Sequence, residues 1–479
     1  MENRSIYRNI SPIDHRYSLS EPELFDALSA ILSEEASIGY CVRVEAALLK
    51  AMLRLLRGDG VSPDLLARID EAASAVSPDE VYREEAKTQH NVRALVNVLK
   101  RHLPEEVRPF VHLGATSADI LDTAACLRYK DAVRTVVLPL LIDLEESLIE
   151  RARSEAETPQ IGRTHGQHAV PLTFGFALTE YVSRLGKSII RIHEKAEGLR
   201  GKLAGAVGAY NATSLIAKDP RRLESELLAE LGLQASEHST QLVEPEYLLQ
   251  VLLEINTAFG ILANLADDLR NLQRTEIGEV REEFTSTQVG SSTMPQKRNP
   301  WNSEHVKSLW KAFSPRVATF FMDQISEHQR DLTNSASSRF VAEYVFGFAS
   351  AVKRMDTVMR SLVVDRRRMA ENLARTGDLV FSEPVYVLIA LAGDPEGHER
   401  VRAATLTAEH TGQKLSEVLR QDAKLWDALN RQLAHTRGLD AAAFFSDPAN
   451  YRGIAVERTR AIADTHEQAM IRLRKDLGR

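Results

Sequence analysis

Cysteine is nearly missing from this chain of 479 residues: Cys41 and Cys126 are the two, far apart and set among apolar neighbours. That count excludes a disulfide framework and a cysteine-based zinc site. Turn formers are scarce too. The 24 glycines and 17 prolines make up about 9% of the residues, against an average usage of about 12%, which favours long helices over many short strands. No apolar run approaches the ~18 residues of a membrane span. Met1-Glu2-Asn3-Arg4-Ser5 leads into no apolar h-region, so no secretory signal is visible and a reducing, cytoplasmic location is expected. Excess positive charge is also lacking: 60 Lys and Arg face 67 Asp and Glu, a net charge of −7. That argues against sequence-independent nucleic-acid binding, which needs a cationic surface.

What is present is the balance of a soluble globular protein, 44% hydrophobic and 27% charged. The periodicity is helical. Apolar residues recur three and four apart at Val133, Val137, Leu140, Leu141, Leu144 and Leu148, within a pattern running from Leu121 to about Ala156. Pro171 opens a second such run, through Phe174, Leu178, Tyr181, Leu185 and Ile189. The third is the clearest: after Glu244-Pro245 it takes in Leu248, Leu252, Ile255, Phe259, Leu262, Leu269 and Leu272, a helix of roughly 40 Å. A polar stretch from Thr275 to Arg298 interrupts the pattern. Asn299-Pro300 then reads as a helix start, Pro315 as a break, and a further run covers Phe340 to Leu362. The expected fold is all-α in three units: a helical head (1–111), a central long-helix bundle (112–364) and a helical tail (365–479). Helices this long, apolar on more than one flank, favour association between subunits over a monomeric bundle folding back on itself.

Four polar stretches fall where helices begin or end, where free N–H groups favour anions. They are Thr88-Gln89-His90-Asn91-Val92, Gly114-Ala115-Thr116-Ser117-Ala118-Asp119, Gly162-Arg163-Thr164-His165-Gly166-Gln167-His168, and Gly290-Ser291-Ser292-Thr293-Met294-Pro295-Gln296-Lys297-Arg298-Asn299-Pro300. Taken singly, such features have ordinary readings as well. Thr116, Ser117 and Asp119 suit a helix cap. His165 and His168 lack the Cys or carboxylate partner that a metal needs. Gly201, Gly205 and Gly208 do not match the dinucleotide fingerprint and read as turns. The fourth stretch gathers two serines, a lysine and an arginine into one cationic loop before a helix.

That loop resembles the signature of the fumarase/aspartase superfamily, homotetrameric all-helical lyases that release fumarate. The second and third stretches are similar to the superfamily's other shared segments, in the same order, so the resemblance covers essentially the whole chain. Within the superfamily, Ser11-Pro12-Ile13-Asp14-His15-Arg16-Tyr17, Arg163-Thr164-His165-Gly166-Gln167-His168-Ala169 and Gln329-Arg330-Asp331-Leu332-Thr333-Asn334-Ser335 resemble the adenylosuccinate lyase family. The likeness implies a β-elimination on a succinylated purine nucleotide, with Ser291 as base and His165 as acid. It implies that Thr116, Ser117, Lys297 and Asn299 bind the succinyl carboxylates, and that Arg16, Tyr17, Arg330, Ser335 and Arg339 bind the phosphate. By the same likeness His90 holds a carboxylate or phosphate oxygen and supports His165. Glu304 polarises His165, and Gln241 and Thr164 contact substrate. No metal or organic cofactor is implied, and each site combines residues of three subunits. One departure stands out: Asn91 follows His90 where the family usually has aspartate, which removes a negative charge and adds a donor. It keeps open a paralogous lyase acting on another succinyl-amine. A non-catalytic helical scaffold is the reading from another class, and the presence of His165, Ser291 and Lys297 together argues against it.

Overall fold

The computed structural model describes residues 5–284 and 293–478, and over these the chain is overwhelmingly helical. Ser291, with the rest of 285–292, lies outside the described residues. The core is built on one continuous helical rod: Ser117–Ala132, a π turn at Val133–Val137, and Leu138–Ser154, of 16, 5 and 17 residues. The π turn has a local cause. Pro139 has no N–H to give and its ring crowds the carbonyl four residues back, so the helix widens just before it and then resumes.

Phe174–Glu197, Glu246–Leu272 and Val341–Ser361 complete the bundle. Leu141, Leu144, Leu148, Val182, Leu185 and Ile189 are all fully buried, as are Ile255, Phe259, Leu262 and Ala266. The helix Glu246–Leu272 is long and apolar enough to cross a membrane, but its buried side chains meet protein. The break expected at Pro315 is present, with helices at Trp301–Phe313 and Arg316–Met322 on either side.

Two features depart from the periodicity. Pro171 does not open a helix. It lies in a β-hairpin, Pro159–Thr164 paired antiparallel with Gln167–Thr173, and the helix starts at Phe174. The last helix, Ala455–Asp476, folds back onto the bundle: Ala463, Met470 and Leu473 join the main core. Arg153 binds Glu467 at 2.6 Å and Arg474 binds Glu146 at 2.8 Å beside it. Residues between Leu373 and Phe444 form a second, smaller core around Phe381, Leu415 and Leu429, and Ile161 of the hairpin is inserted into it. The tail thus buttresses the hairpin.

Candidate active site

The rod of 38 residues holds two groups of candidate residues at its opposite ends, and the others lie on the flank of the bundle and against the head. At 1.5 Å per residue it is roughly 55 Å long, with Thr116 at its first cap and the hairpin at its far end.

At the first end Thr116 is the N-cap and Ser117 the first helical residue; the Thr116 N–H is bound to Asp119 Oδ2 at 2.8 Å. Asp122, one turn further along, accepts the Val243 N–H at 2.9 Å, and the Gln241 N–H is bound to the Gln329 carbonyl at 3.1 Å. These contacts bring the Gln241 and Arg330 loops to the start of the rod. Burial pushes the Asp122 carboxyl up to about 6, against the opposing pull of the Val243 N–H, Lys202 and Arg330. Arg330 donates to the Asp331 carbonyl at 2.8 Å, and the Asp331 carboxylate ties the loop by accepting from Thr333 and from the Glu327 N–H. Those bonds hold its pKa below the usual range. Ser335 follows on the same loop, exposed.

At the other end the hairpin turns on His165 and Gly166, whose φ values are +54° and +74°. A two-residue loop with both φ positive fits the twist of the flanking strands, and glycine takes that conformation without strain. The turn leaves His165 at an exposed tip beside Thr164. Below it, Arg163 grips Glu279 at 2.5 Å, and Glu279 also accepts from Gln160 and Asn372, each at 2.8 Å. His168 pairs with Thr376 at 2.5 Å. Burial and the nearby Arg163 guanidinium push its imidazole below the usual value. A cavity of about 970 Å³ opens under the hairpin, lined by Gly162, Arg163, His168, Asn271, Arg274 and Arg375 among others.

Lys297, Asn299 and Glu304 belong to this same end. Gln273, the C-cap of Glu246–Leu272, donates to the Arg298 carbonyl at 3.2 Å and accepts the Glu282 N–H at 2.9 Å. Glu282, buried, caps the helix that follows by accepting from the N–H groups of Asn302 and Ser303 at 3.1 and 2.8 Å. A carboxylate there also suits the helix dipole. Glu304 is exposed on that helix's first turn. Its neighbour His305 meets the Tyr17 hydroxyl at 3.2 Å, which places Arg16 and Tyr17 on the flank of the bundle between the two ends. Burial raises the Tyr17 pKa and lowers that of His305, keeping both neutral.

The remaining candidates lie against the head. His90 caps helix Asn91–His102, its Nδ1 accepting the Arg93 N–H at 3.2 Å, while Asn91 Oδ1 accepts the Val92 N–H at 2.8 Å. Arg339 is exposed and its charge acts on Tyr82 of the head helix Pro78–Thr88.

Backbone strain marks the same places. The non-glycine residues with positive φ among those described are Gln89, His112, His165, Tyr210 and His328. One is His165 itself; Gln89, His112 and His328 each lie one to four residues before His90, Thr116 and Arg330. Such conformations cost energy and collect at functional sites.

The two groups cannot meet within one chain. The cavity under the hairpin is lined by Leu269, Leu272 and Arg274 at the end of Glu246–Leu272, whereas Val243, bound to Asp122, precedes that helix's start, so a helix length of roughly 40 Å lies between the two groups. A nucleotide-sized ligand does not bridge that gap.

A family model described as Lyase matches residues 16–311, and one described as Adenylosuccinate lyase C-terminal matches residues 326–438. An adenylosuccinate lyase of Pyrococcus abyssi is 34% identical over 420 residues, 86% of this chain and 90% of that one. Another, of Pyrococcus horikoshii, is 32% identical over 96% of this chain and 98% of that one. Among solved structures, a fumarate lyase from Mesorhizobium sp. BNC1 superposes with a TM-score of 0.77 at 25% identity, covering 92% of this chain and 97% of that one. The chain belongs to the adenylosuccinate lyase family, among the fumarate-releasing lyases of the fumarase/aspartase superfamily.

Proposed function

We propose that the chain assembles as a cytoplasmic homotetramer in which each active site combines residues of three subunits, the Thr116–Ser117 end coming from one and the His165 end from another. There it cleaves adenylosuccinate to AMP and fumarate, and the succinyl-carboxamide imidazole ribotide to its carboxamide and fumarate. The observation that carries this reading is the rigid rod between Ser117 and Ser154, which holds two incomplete half-sites apart in one chain.

The chemistry distributes over the two halves. Ser291 removes a proton from the carbon beside a succinyl carboxylate, the electrons left there form the fumarate double bond, and the C–N bond breaks with its pair going to nitrogen. His165 gives that nitrogen its proton. Serine is a weak base until ionised, and the Lys297 ammonium supplies the positive charge that favours the alkoxide. The Ser117 helix start meets a carboxylate with free N–H groups and a favourable dipole, support that matters most as charge builds on that carboxylate in the carbanion-like intermediate. Arg330, Arg339 and Arg16 offer planar donors for the phosphate, with Ser335 and Tyr17 adding hydroxyls. Gln241 and Thr164 position the substrate, His90 holds an oxygen of it and supports His165, and Glu304 polarises His165. Asn91 leaves this chain one negative charge short beside the nucleotide.

The test is direct. Purified protein is incubated with adenylosuccinate, the purine absorbance is followed and fumarate is assayed. AMP and fumarate in equal amounts, lost in His165→Ala and in Ser291→Ala with the fold intact, meet the proposal. A folded tetramer that releases neither product rejects adenylosuccinate as substrate, and another succinyl-amine takes its place.

A further inference from the structure

The segment from Gly201 to Tyr210 takes no part in the chemistry above, yet its first five residues are buried beside the start of the rod. Lys202 is completely buried. Its ammonium lies on Asp119 Oδ1 and also donates to the Gly205 carbonyl at 3.2 Å. Thr123 clasps the Lys202 backbone, accepting its N–H at 3.1 Å and donating to its carbonyl at 3.2 Å. Asp119, 1% exposed, collects the N–H groups of Thr116 (2.8 Å), Ala204 (3.1 Å) and Gly205 (3.3 Å) as well as Lys202.

This geometry creates an electrostatic problem and contains its answer. Asp119 is the third residue of a helix whose start is the candidate carboxylate site. Alone, its negative charge would repel an incoming carboxylate across less than one helical turn of low-dielectric interior, where such a repulsion is poorly screened. The buried Lys202 cancels that charge while the Asp119 hydrogen bonds keep the Thr116 cap in shape. On the far side of the segment, Gly208 (φ +78°) passes so close to Ser239 that an added Cβ would stand 1.7 Å from its carbonyl oxygen. Ser239 lies two residues before Gln241, so the same segment spaces the Gln241 loop from the helix start.

We propose that Lys202 and Asp119 are positioning residues for the substrate. Asp119 shapes the Thr116–Ser117 helix start, and Lys202 neutralises Asp119 so that this start accepts a carboxylate. The proposal rests on the reading of Thr116 and Ser117 as carboxylate contacts.

The experiment measures KM, kcat and the fumarate inhibition constant for Ser117→Ala, Lys202→Met and the neutral pair Lys202→Met/Asp119→Asn. Exposing the Asp119 charge in Lys202→Met raises KM and the fumarate constant about tenfold or more, with kcat little changed. The neutral pair recovers most of that loss. A merely structural ion pair behaves otherwise: the active fraction and kcat fall, KM stays, and the pair brings no recovery. That result overturns the proposal. An unchanged KM in Ser117→Ala instead removes the carboxylate reading beneath it. Should Lys202→Met not fold, hydrogen exchange on the unmutated tetramer decides. Fumarate then slows exchange in peptides covering 200–210 together with 116–119. Protection at 116–119 without 200–210 contradicts the proposal.

Discussion

Arg163 is bound through both terminal nitrogens to Glu279, at 2.5 and 3.1 Å, two residues before His165. Glu279 is completely buried, and with Gln160 and Asn372 also on its oxygens it forms the anchor of the hairpin that carries the proposed acid. Removing one partner of a buried, hydrogen-bonded pair costs about 3–5 kcal/mol. Arg163 keeps some solvent contact, so Glu279→Gln is expected near the bottom of that range, about 3 kcal/mol, in denaturant unfolding. Turnover should drop with KM less affected, because the role proposed for His165 is in the bond-breaking step. An unchanged midpoint and kcat would show that the hairpin needs no such anchor.

Asp122 predicts a pH dependence of stability. Its carboxyl is pushed up to about 6 by burial, whereas in the unfolded chain it ionises near the usual value of about 4. The folded protein therefore binds this proton more tightly, so the Asp122 contribution to stability is present at low pH and is lost as pH rises through about 6. Asp122→Asn keeps an acceptor for the Val243 N–H and does not titrate. The stability of the unmutated protein relative to this variant should fall between about pH 4 and about pH 6. A flat difference across that window would count against the assignment.

Gly208 gives a steric prediction. Its positive φ and the Ser239 carbonyl leave no room for a side chain, so Gly208→Ala must move the Gln241 loop away from the rod. The expected cost is about 1–3 kcal/mol, accompanied by a raised KM. The same change at Gly205, also at positive φ but with open space around its Cβ position, should cost less. Equal effects at the two positions would argue against the close approach.

How far these features are legible in the sequence depends on how local they are. The helix Glu246–Leu272 could be drawn from its apolar spacing almost to the residue, because one periodic face dictates it. The hairpin around His165 could not: Pro171 read as a helix start, since the strands are short and carry no clean alternation. His165-Gly166 was the available signal, an X-Gly pair at the two-residue turn that such hairpins prefer. Thr116 and Asp119 were readable as a cap, and they are one. Lys202 was not readable at all. A lysine is assigned to the surface by default, and only the fold reveals that Asp119 draws it inside. The length of rod between Ser117 and His165 was equally hidden in the motifs, although the family likeness implied sites shared between subunits.

Hybrid tetramers test the central claim most directly. His165→Ala and the double variant Thr116→Ala/Ser117→Ala are each prepared as inactive tetramers, then unfolded together, refolded as a mixture and assayed with adenylosuccinate. If a site takes one end from each of two subunits, some sites in the mixture draw both unmutated ends, and activity returns to about a quarter of the unmutated value, as random mixing of subunits dictates. If each chain carried its whole site, every site would contain one of the lesions. The mixture would then be as inactive as its parents, and the shared-site account would be wrong.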